Sequence, residues 1–502
     1  MPDRERQTQK WFDVRLPMTR RFILTGREAS QAIAGYVAIS RDPMRQAGNR
    51  MGSIATRPAL LALAAALIAA VNLAVWFPGE AGPDSQAQYA QVLAGQFDDW
   101  HPPIMAWLWS VFRLLADGDA PMFCFQIACY WLGFGLMAHA LAQAGRPLAA
   151  WVMLGVALFP SFLTLSTNLL GDVGMAVTFL AAVGALFWHR VQGREVPPAT
   201  AAAAAALILY GALVRTNAVF AVVPLAAYLI RPQWLRRPWR VLLLSLPVAL
   251  ALVPAASFFN QRVLGAQSLE KIRALQVFDL AGIAFQSGDL AVFGPDNTFT
   301  SDEVFRCYDP TFWDRLSPWG QCGFFWNRLA VSRDQQASVE NVDARTAMGA
   351  TPNPDLRDLW IAAIVHHPLA YAQHRLTHFF SEISRGASSR DPDSTAPSPS
   401  YLILYDWVTA SAAWLALGVG LLVWLAAAHT SSRPASRDAA LALLLSALPF
   451  AFAYLIIGVA TELRYMLWSL IAIFTAAVLS LPPLRSTTAA QAAVAQPVTS
   501  AG

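Results

Sequence analysis

Residues 166–188, STNLLGDVGMAVTFLAAVGALFW, carry an acidic residue, Asp172, about one turn inside an otherwise apolar run. An aspartate at the centre of a membrane-spanning helix costs about 2.5–3.5 kcal/mol on insertion scales, so it persists where it faces protein, water or a substrate. A second acidic residue, Asp84, opens the polar stretch GPDSQAQYAQVLAGQFDDWHPPIMAWLW (82–109), just after the first hydrophobic run. If the spans alternate as read below, both aspartates open to the same side of the membrane.

The composition sets that frame. Of 502 residues, 56% are hydrophobic and 14% charged, with a mean hydropathy of +0.41. A soluble domain is typically about 25% charged. The chain therefore reads as an all-α polytopic membrane protein, and its 18 tryptophans suit rings anchored at both interfaces. The formal net charge of +4 is small, and no nucleic-acid partner is expected.

About ten apolar runs approach spanning length: 58–77, 121–143, 148–165, 168–189, 199–214, 216–231, 240–259, 402–428, 437–459 and 464–482. Basic residues should mark their cytoplasmic ends. Arg146, Arg190, Arg194, Arg231, Arg236, Arg237, Arg240, Arg433, Arg437 and Arg485 all fall on the side of the N-terminal segment if the runs alternate. That places both termini in the cytoplasm of a bacterial-type inner (plasma) membrane. Residues 1–57 read as a polar cytoplasmic tail, with Met51 an alternative initiator, and 486–502 as an unstructured tail. The core 58–259 includes an extracytoplasmic first loop, 78–120. A larger loop domain, 260–401, ends in a Ser/Pro linker (384–400), and the last helices occupy 402–485.

In the first loop, Ser85 and Gln88 fit a capping box, S-x-x-Q. Tyr89, Leu93 and Phe97 then make an apolar stripe suited to a helix lying on the membrane surface. Asp98 and Asp99 read as a solvated turn, and 104–116 as a second interfacial or re-entrant helix. Asp84 also reads as a helix-start residue favoured by the dipole. Cys124 and Cys129 sit in an apolar run. Cys307 and Cys322 lie in the polar loop, where an oxidising compartment would permit a disulfide.

The order of these features resembles the GT-C superfamily of membrane glycosyltransferases, in particular its protein O-mannosyltransferase and aminoarabinose-transferase types and bacterial relatives. Asp84 and Tyr89 match a first-loop acidic motif. His101-Pro102-Pro103 with Trp107 match a segment usually written K-P-P-x-x-x-W, and Asp172 a second motif usually written K-D. Arg464-Tyr465 resembles an R-Y opening the last spans. The likeness covers roughly 58–230 and the final helix. His101 and Gly171 stand where the family pattern has lysine.

The resemblance implies a GT-C-like fold and transfer of a sugar from a polyprenyl-phosphate donor to an extracytoplasmic acceptor, which is a cell-envelope glycan, lipid or protein. Asp84 would be the base or acceptor-orienting carboxylate. Asp172 would be a second carboxylate, orienting the acceptor or sharing a divalent metal, Mg or Mn, with Asp84. Arg215 and Arg464, on the face opposite the basic loops, would hold phosphate, with Tyr89, His101 and Tyr465 contacting substrate. Snorkelling explains the two arginines equally well. Arg262, Lys271 and Arg273 are further loop cations. His374 and His378 have the spacing of a zinc pair, against which stands a solvated or lipid-facing helix surface. Asp279 reads as a packing residue or an acceptor contact.

Two other classes stay open. A transporter or flippase would place polar residues near the midplane and often show internal repeats, whereas here they gather at one face and no repeat is seen. A catalytically silent membrane protein on the same fold is the other.

Overall fold

The computed structural model describes residues 58–295, 298–339, 342–385, 410–427 and 433–482. The expected N- and C-terminal tails and most of the Ser/Pro linker lie outside these residues. The described chain is all-helical. Its helices are α1 (Pro58–Trp76), α2 (Pro83–Ala94), α3 (Ile104–Phe112), α4 (Ala120–Gln143), α5 (Pro147–Ala157), α6 (Pro160–Leu165), α7 (Gly171–Arg190), α8 (Pro198–Val214), α9 (Val219–Ile230) and α10 (Pro238–Phe258). The loop domain adds α11 (Ile272–Ser287), α12 (Ser301–Cys307), α13 (Phe324–Ala330), α14 (Leu356–His366) and α15 (Pro368–Ser384), besides shorter turns. The chain closes with α16 (Ser411–Ala427), α17 (Pro434–Ile457) and α18 (Leu463–Ser480).

Six helices are long and apolar enough to cross a membrane: α1, α4, α7, the continuous Pro238–Val263, α17 and α18. Four more apolar helices, Pro147–Ala157, Pro198–Val214, Thr216–Ile230 and Ser411–Ala427, are shorter. The run 148–165, read as one span, is broken. Pro160 forces the preceding Phe159 out of the helical region (φ −59°, ψ 124°), so α5 and α6 are separate pieces.

The bundle centre is the α4–α7 contact. A Cβ on Gly184 would sit 2.6 Å from the Gly133 carbonyl oxygen, and one on Gly133 2.9 Å from the Leu180 carbonyl carbon. Glycine on both sides lets two backbones touch, which is how helices gain dispersion contact where lipid supplies no hydrophobic drive. Replacing Gly184 with alanine is expected to cost about 1–3 kcal/mol or more, because the obstacle is backbone. Gly155→Ala, with nothing within 4 Å of its Cβ, should be silent. Melting curves of the detergent-solubilised variants read the difference.

The arginines that stand out in the sequence have a structural task. Arg146 donates to the carbonyls of Leu479 (3.1 Å) and Leu481 (2.8 Å), at the end of α18. Arg190 donates to the Leu229 carbonyl (3.0 Å) at the end of α9, and Arg437 to that of Leu425 (2.9 Å) in the last turn of α16. Each supplies donors to carbonyls that a helix end leaves unpaired, at the negative end of its dipole. Helices α7, α9 and α18 run towards this arginine end. Asp172, Arg215 and Arg464 mark the opposite end.

The loop domain has its own aromatic core, with Phe278, Phe325 and Trp326 fully buried. Asp279, also fully buried, accepts from Trp360 Nε1 (2.8 Å), contacts His374 Nε2 (3.1 Å) and pairs with Arg375. Packing is therefore the role in which the structure places it. The expectation of a solvated or lipid-facing stripe through His374 and His378 is corrected, because both are buried. Helix α15 turns its polar side inward, where His374 meets the Tyr308 hydroxyl (2.7 Å) and His378 the Pro310 carbonyl (2.7 Å). It turns Leu369, Leu376 and Phe380 outward. Buried polar groups need such partners to offset lost hydration. Cys307 and Cys322 form a disulfide, with Cα atoms 5.8 Å apart, that closes the 308–321 loop.

Candidate functional site

Asp84 and Asp172 are brought together by backbone pairing. Glu80 and Asn168 form a parallel bridge, with Glu80 N–H donating to Thr167 O (3.0 Å) and Leu169 N–H to Glu80 O (2.9 Å). The Ser85 hydroxyl then donates to Leu169 O (2.5 Å). The start of α2 is thus stitched to the segment entering α7, and each aspartate falls in the first turn of its helix, where the dipole favours a carboxylate.

That stitching overturns two local expectations. Ser85 is not an N-cap: Gly82 caps α2, Pro83 takes the first turn, and the Ser85 side chain is spent on Leu169. Helix α2 also ends at Ala94, with Gly95 left-handed at φ 65°, so Phe97 is not on it. The helix buries Ser85, Gln88, Gln91 and Val92 and exposes Leu93.

A small polar pocket of about 10 Å³, room for about one water, lies between these elements, lined by Asp84, Gln88, His101, Asp172, Arg215 and Arg464 together with backbone-neighbouring apolar residues. The Asp172 carboxylate, 2% exposed, lies 2.9 Å from Arg215 Nε. Arg464 Nη1 donates to Asp84 Oδ2 (2.8 Å), while its Nε faces Glu462 at 2.6 Å. The Tyr465 ring faces both guanidiniums, at 5.5 Å from Arg215 and 5.1 Å from Arg464. His101 Nε2 is 3.7 Å from Asp84 Oδ1.

Burial pushes the Asp84 carboxyl up, but His101 and Arg464 outweigh it and hold the group below the usual carboxylate value. Burial holds the His101 imidazole down to about 4; Asp84 pulls it up, and Arg215 and Arg464 push it further down. The imidazole is therefore neutral at pH 7, and Arg464 is the charge that keeps Asp84 ionised.

Of the residues singled out in the sequence, Asp84, His101, Asp172, Arg215, Arg464 and Tyr465 are gathered here. Tyr89 is not: its hydroxyl accepts from Gly118 N–H (2.8 Å) and its ring packs 5.1 Å from Trp109. Nor is the acidic turn a solvated one. Asp98, 5% exposed, pairs with Arg345, and Asp99 accepts from Leu269 N–H (2.7 Å). Gln267 exchanges backbone hydrogen bonds with Phe97 and Asp99 (2.9 Å each), so the turn anchors the loop domain.

This anchoring delivers Lys271, whose ammonium donates to Thr216 Oγ1 (2.6 Å), next to Arg215. Burial is the main cause lowering it to about 8; Asp99 raises it and Arg215 lowers it further. Nothing in the sequence separates Lys271 from its basic neighbours. Only the fold does, since Arg273 is buried against the carbonyls of Ala330 (3.1 Å) and Leu269 (2.9 Å).

As for a metal, Asp84 and Asp172 each already have a guanidinium partner. Among the described residues, no group of three His, Cys, Asp or Glu is placed to hold an ion. The chain matches no protein-family model, no curated protein and no solved structure.

Proposed function

We propose that this protein is an integral membrane glycosyltransferase that moves a sugar from a polyprenyl-phosphate donor to an acceptor hydroxyl outside the cytoplasm. The observation that carries the reading is the meeting of Asp84 and Asp172 with Arg215 and Arg464 in one pocket at a single end of an apolar bundle. A lipid-linked phosphate arrives at the membrane boundary, and a pocket there needs both anion-holding and proton-accepting groups. The likeness of the Asp84, His101-Pro102-Pro103 and Asp172 segments to GT-C enzymes points the same way. The positive-inside rule then puts the arginine end in the cytoplasm and the pocket outside.

In this reading Asp84, held ionised by Arg464, orients the acceptor hydroxyl and takes its proton. The acceptor oxygen bonds to the anomeric carbon as that carbon's bond to the phosphate oxygen breaks, and the electron pair leaves with the phosphate. Arg215, Arg464 and Lys271 receive that charge through charge-assisted hydrogen bonds. Asp172 fixes Arg215. No step requires a metal. Polyprenyl-phosphate release from polyprenyl-phosphate hexoses, with membrane extract as acceptor source, tests the reaction. EDTA and divalent-cation arms test whether a metal takes part.

Lys271 gives the reaction a pH signature. It is charged below about 8 and neutral above. The ratio kcat/KM should therefore fall as pH rises through 8. Lys271→Arg should carry that limb to higher pH, because a guanidinium stays charged. Lys271→Met should abolish the limb and lower kcat/KM about 10- to 100-fold. A limb unmoved in Lys271→Arg would assign it to another group.

A further inference from the structure

Three tryptophans stand together beside the pocket, unused by the chemistry above. Trp313 and Trp319 belong to the loop closed by the Cys307–Cys322 disulfide, and their ring centroids are 5.3 Å apart. Each lies 5.8 Å from the Trp100 ring, which meets Trp319 edge-on. Trp313 is the floor, 4% exposed, while Trp319 stands 46% exposed. A single half-exposed indole is ordinary on a protein surface. An aromatic floor with one open wall, next to a polar pocket, is a shaped surface.

Its position is fixed from two sides. Trp100 directly precedes His101, which lines the pocket. Phe312 pairs with Ala460, and Trp313 N–H donates to Val459 O (2.9 Å), so this loop lies along the segment leading into Glu462 and Arg464. Between the tryptophans sits Asp314, half-buried. Burial raises its carboxyl, a hydrogen bond from Trp319 lowers it, and Asp84 and Arg464 lie within electrostatic reach.

We propose that Trp319 and Trp100, with Asp314, form a binding subsite for a pyranose ring delivered to the polar pocket. A pyranose presents axial C–H bonds on one face and hydroxyls around its edge. The C–H face suits the electron-rich face of an indole, and the edge hydroxyls suit a carboxylate acceptor. An aromatic wall without a carboxylate would fit a lipid chain; a carboxylate without a wall would fit a cation. The combination selects a sugar. The inference rests on the transferase reading only in naming the ring's source, which is either the donor's sugar or the acceptor's terminal residue.

The test measures binding without turnover. Full-length protein in nanodiscs is titrated with methyl hexopyranosides and short oligosaccharides, read by saturation-transfer NMR and tryptophan fluorescence. At least one saccharide should bind with its axial C–H protons saturated. Trp319→Ala should weaken it at least about tenfold with an unchanged melting temperature, Trp319→Phe should retain most of it, and Asp314→Asn should weaken it. No saccharide bound by wild type, or equal binding by Trp319→Ala, overturns the subsite. Turnover then identifies the source: a raised KM for the polyprenyl-phosphate hexose alone places the donor sugar here, and a raised KM for acceptor alone places the acceptor. Saccharide binding lost in Trp319→Ala, in a protein showing no sugar transfer at all, would keep the subsite and defeat the transferase reading. Normal turnover with unchanged binding and both KM values unchanged would do the reverse.

Discussion

Asp84→Asn is expected to reduce sugar transfer by about 100- to 10,000-fold, the range a positioned acid–base group contributes. The amide keeps the shape of the carboxylate and removes its charge and basicity. The fold should survive, because the Asp84 side chain is 35% exposed and Arg464 keeps Glu462 as a second partner at 2.6 Å. A partly exposed ion pair is worth about 0–1 kcal/mol, so the melting temperature should move little. Asp84→Glu should also lose most of the activity, since one added methylene moves the carboxylate past the Arg464 fork. Loss of rate with loss of fold would make Asp84 a structural residue. Wild-type rate would remove it from the chemistry.

The second large effect concerns stability. Arg215→Met leaves Asp172, 2% exposed, as a buried charge without its partner. Removing one member of a buried pair costs about 3–5 kcal/mol, chiefly because the other is stranded. Asp172→Asn should cost less, since Arg215 is 22% exposed and keeps the Tyr465 ring. The double variant, Arg215→Met with Asp172→Asn, should recover most of the lost stability, and a double-mutant cycle in thermal or denaturant unfolding measures the coupling. Transfer should stay low in all three proteins, because the phosphate loses its guanidinium or the guanidinium loses its support. Activity recovering together with stability would show that the pair serves the fold alone.

The bundle was legible in the sequence because its signal is composition and length. Every run read as a span corresponds to an apolar helix in the described residues, apart from the start of 402–428, which lies outside them, and the break before Pro160. The loops were legible in their residues and misread in their geometry. Asp98 and Asp99 look like a solvated turn because sequence shows neighbours along the chain. Their partners, Arg345 and Leu269, lie far along it. Ser85 looks like a cap for the same reason, while its hydroxyl goes to Leu169. His374 and His378 carry a strong polar pattern, and only burial against Asp279, Tyr308 and Pro310 reverses which side of α15 faces in. Within the pocket, Asp84, Asp172, Arg215 and Arg464 could be found from the sequence, since charges at apolar helix ends are conspicuous. Lys271 and the tryptophan cluster depend on how the loop domain docks, and nothing local encodes that.

In the proposed reaction, the Asp84–Asp172 pocket transfers a sugar from a lipid-linked phosphate. The most direct measurement is polyprenyl-phosphate release by the reconstituted protein, comparing wild type, Asp84→Asn and Asp172→Asn in the presence of membrane extract. Wild type should release polyprenyl phosphate, Asp84→Asn should lose that release and Asp172→Asn should reduce it strongly, with all three proteins folded. Release absent throughout, or equal in all three, would contradict that reaction and turn attention to a transporter or a silent membrane protein.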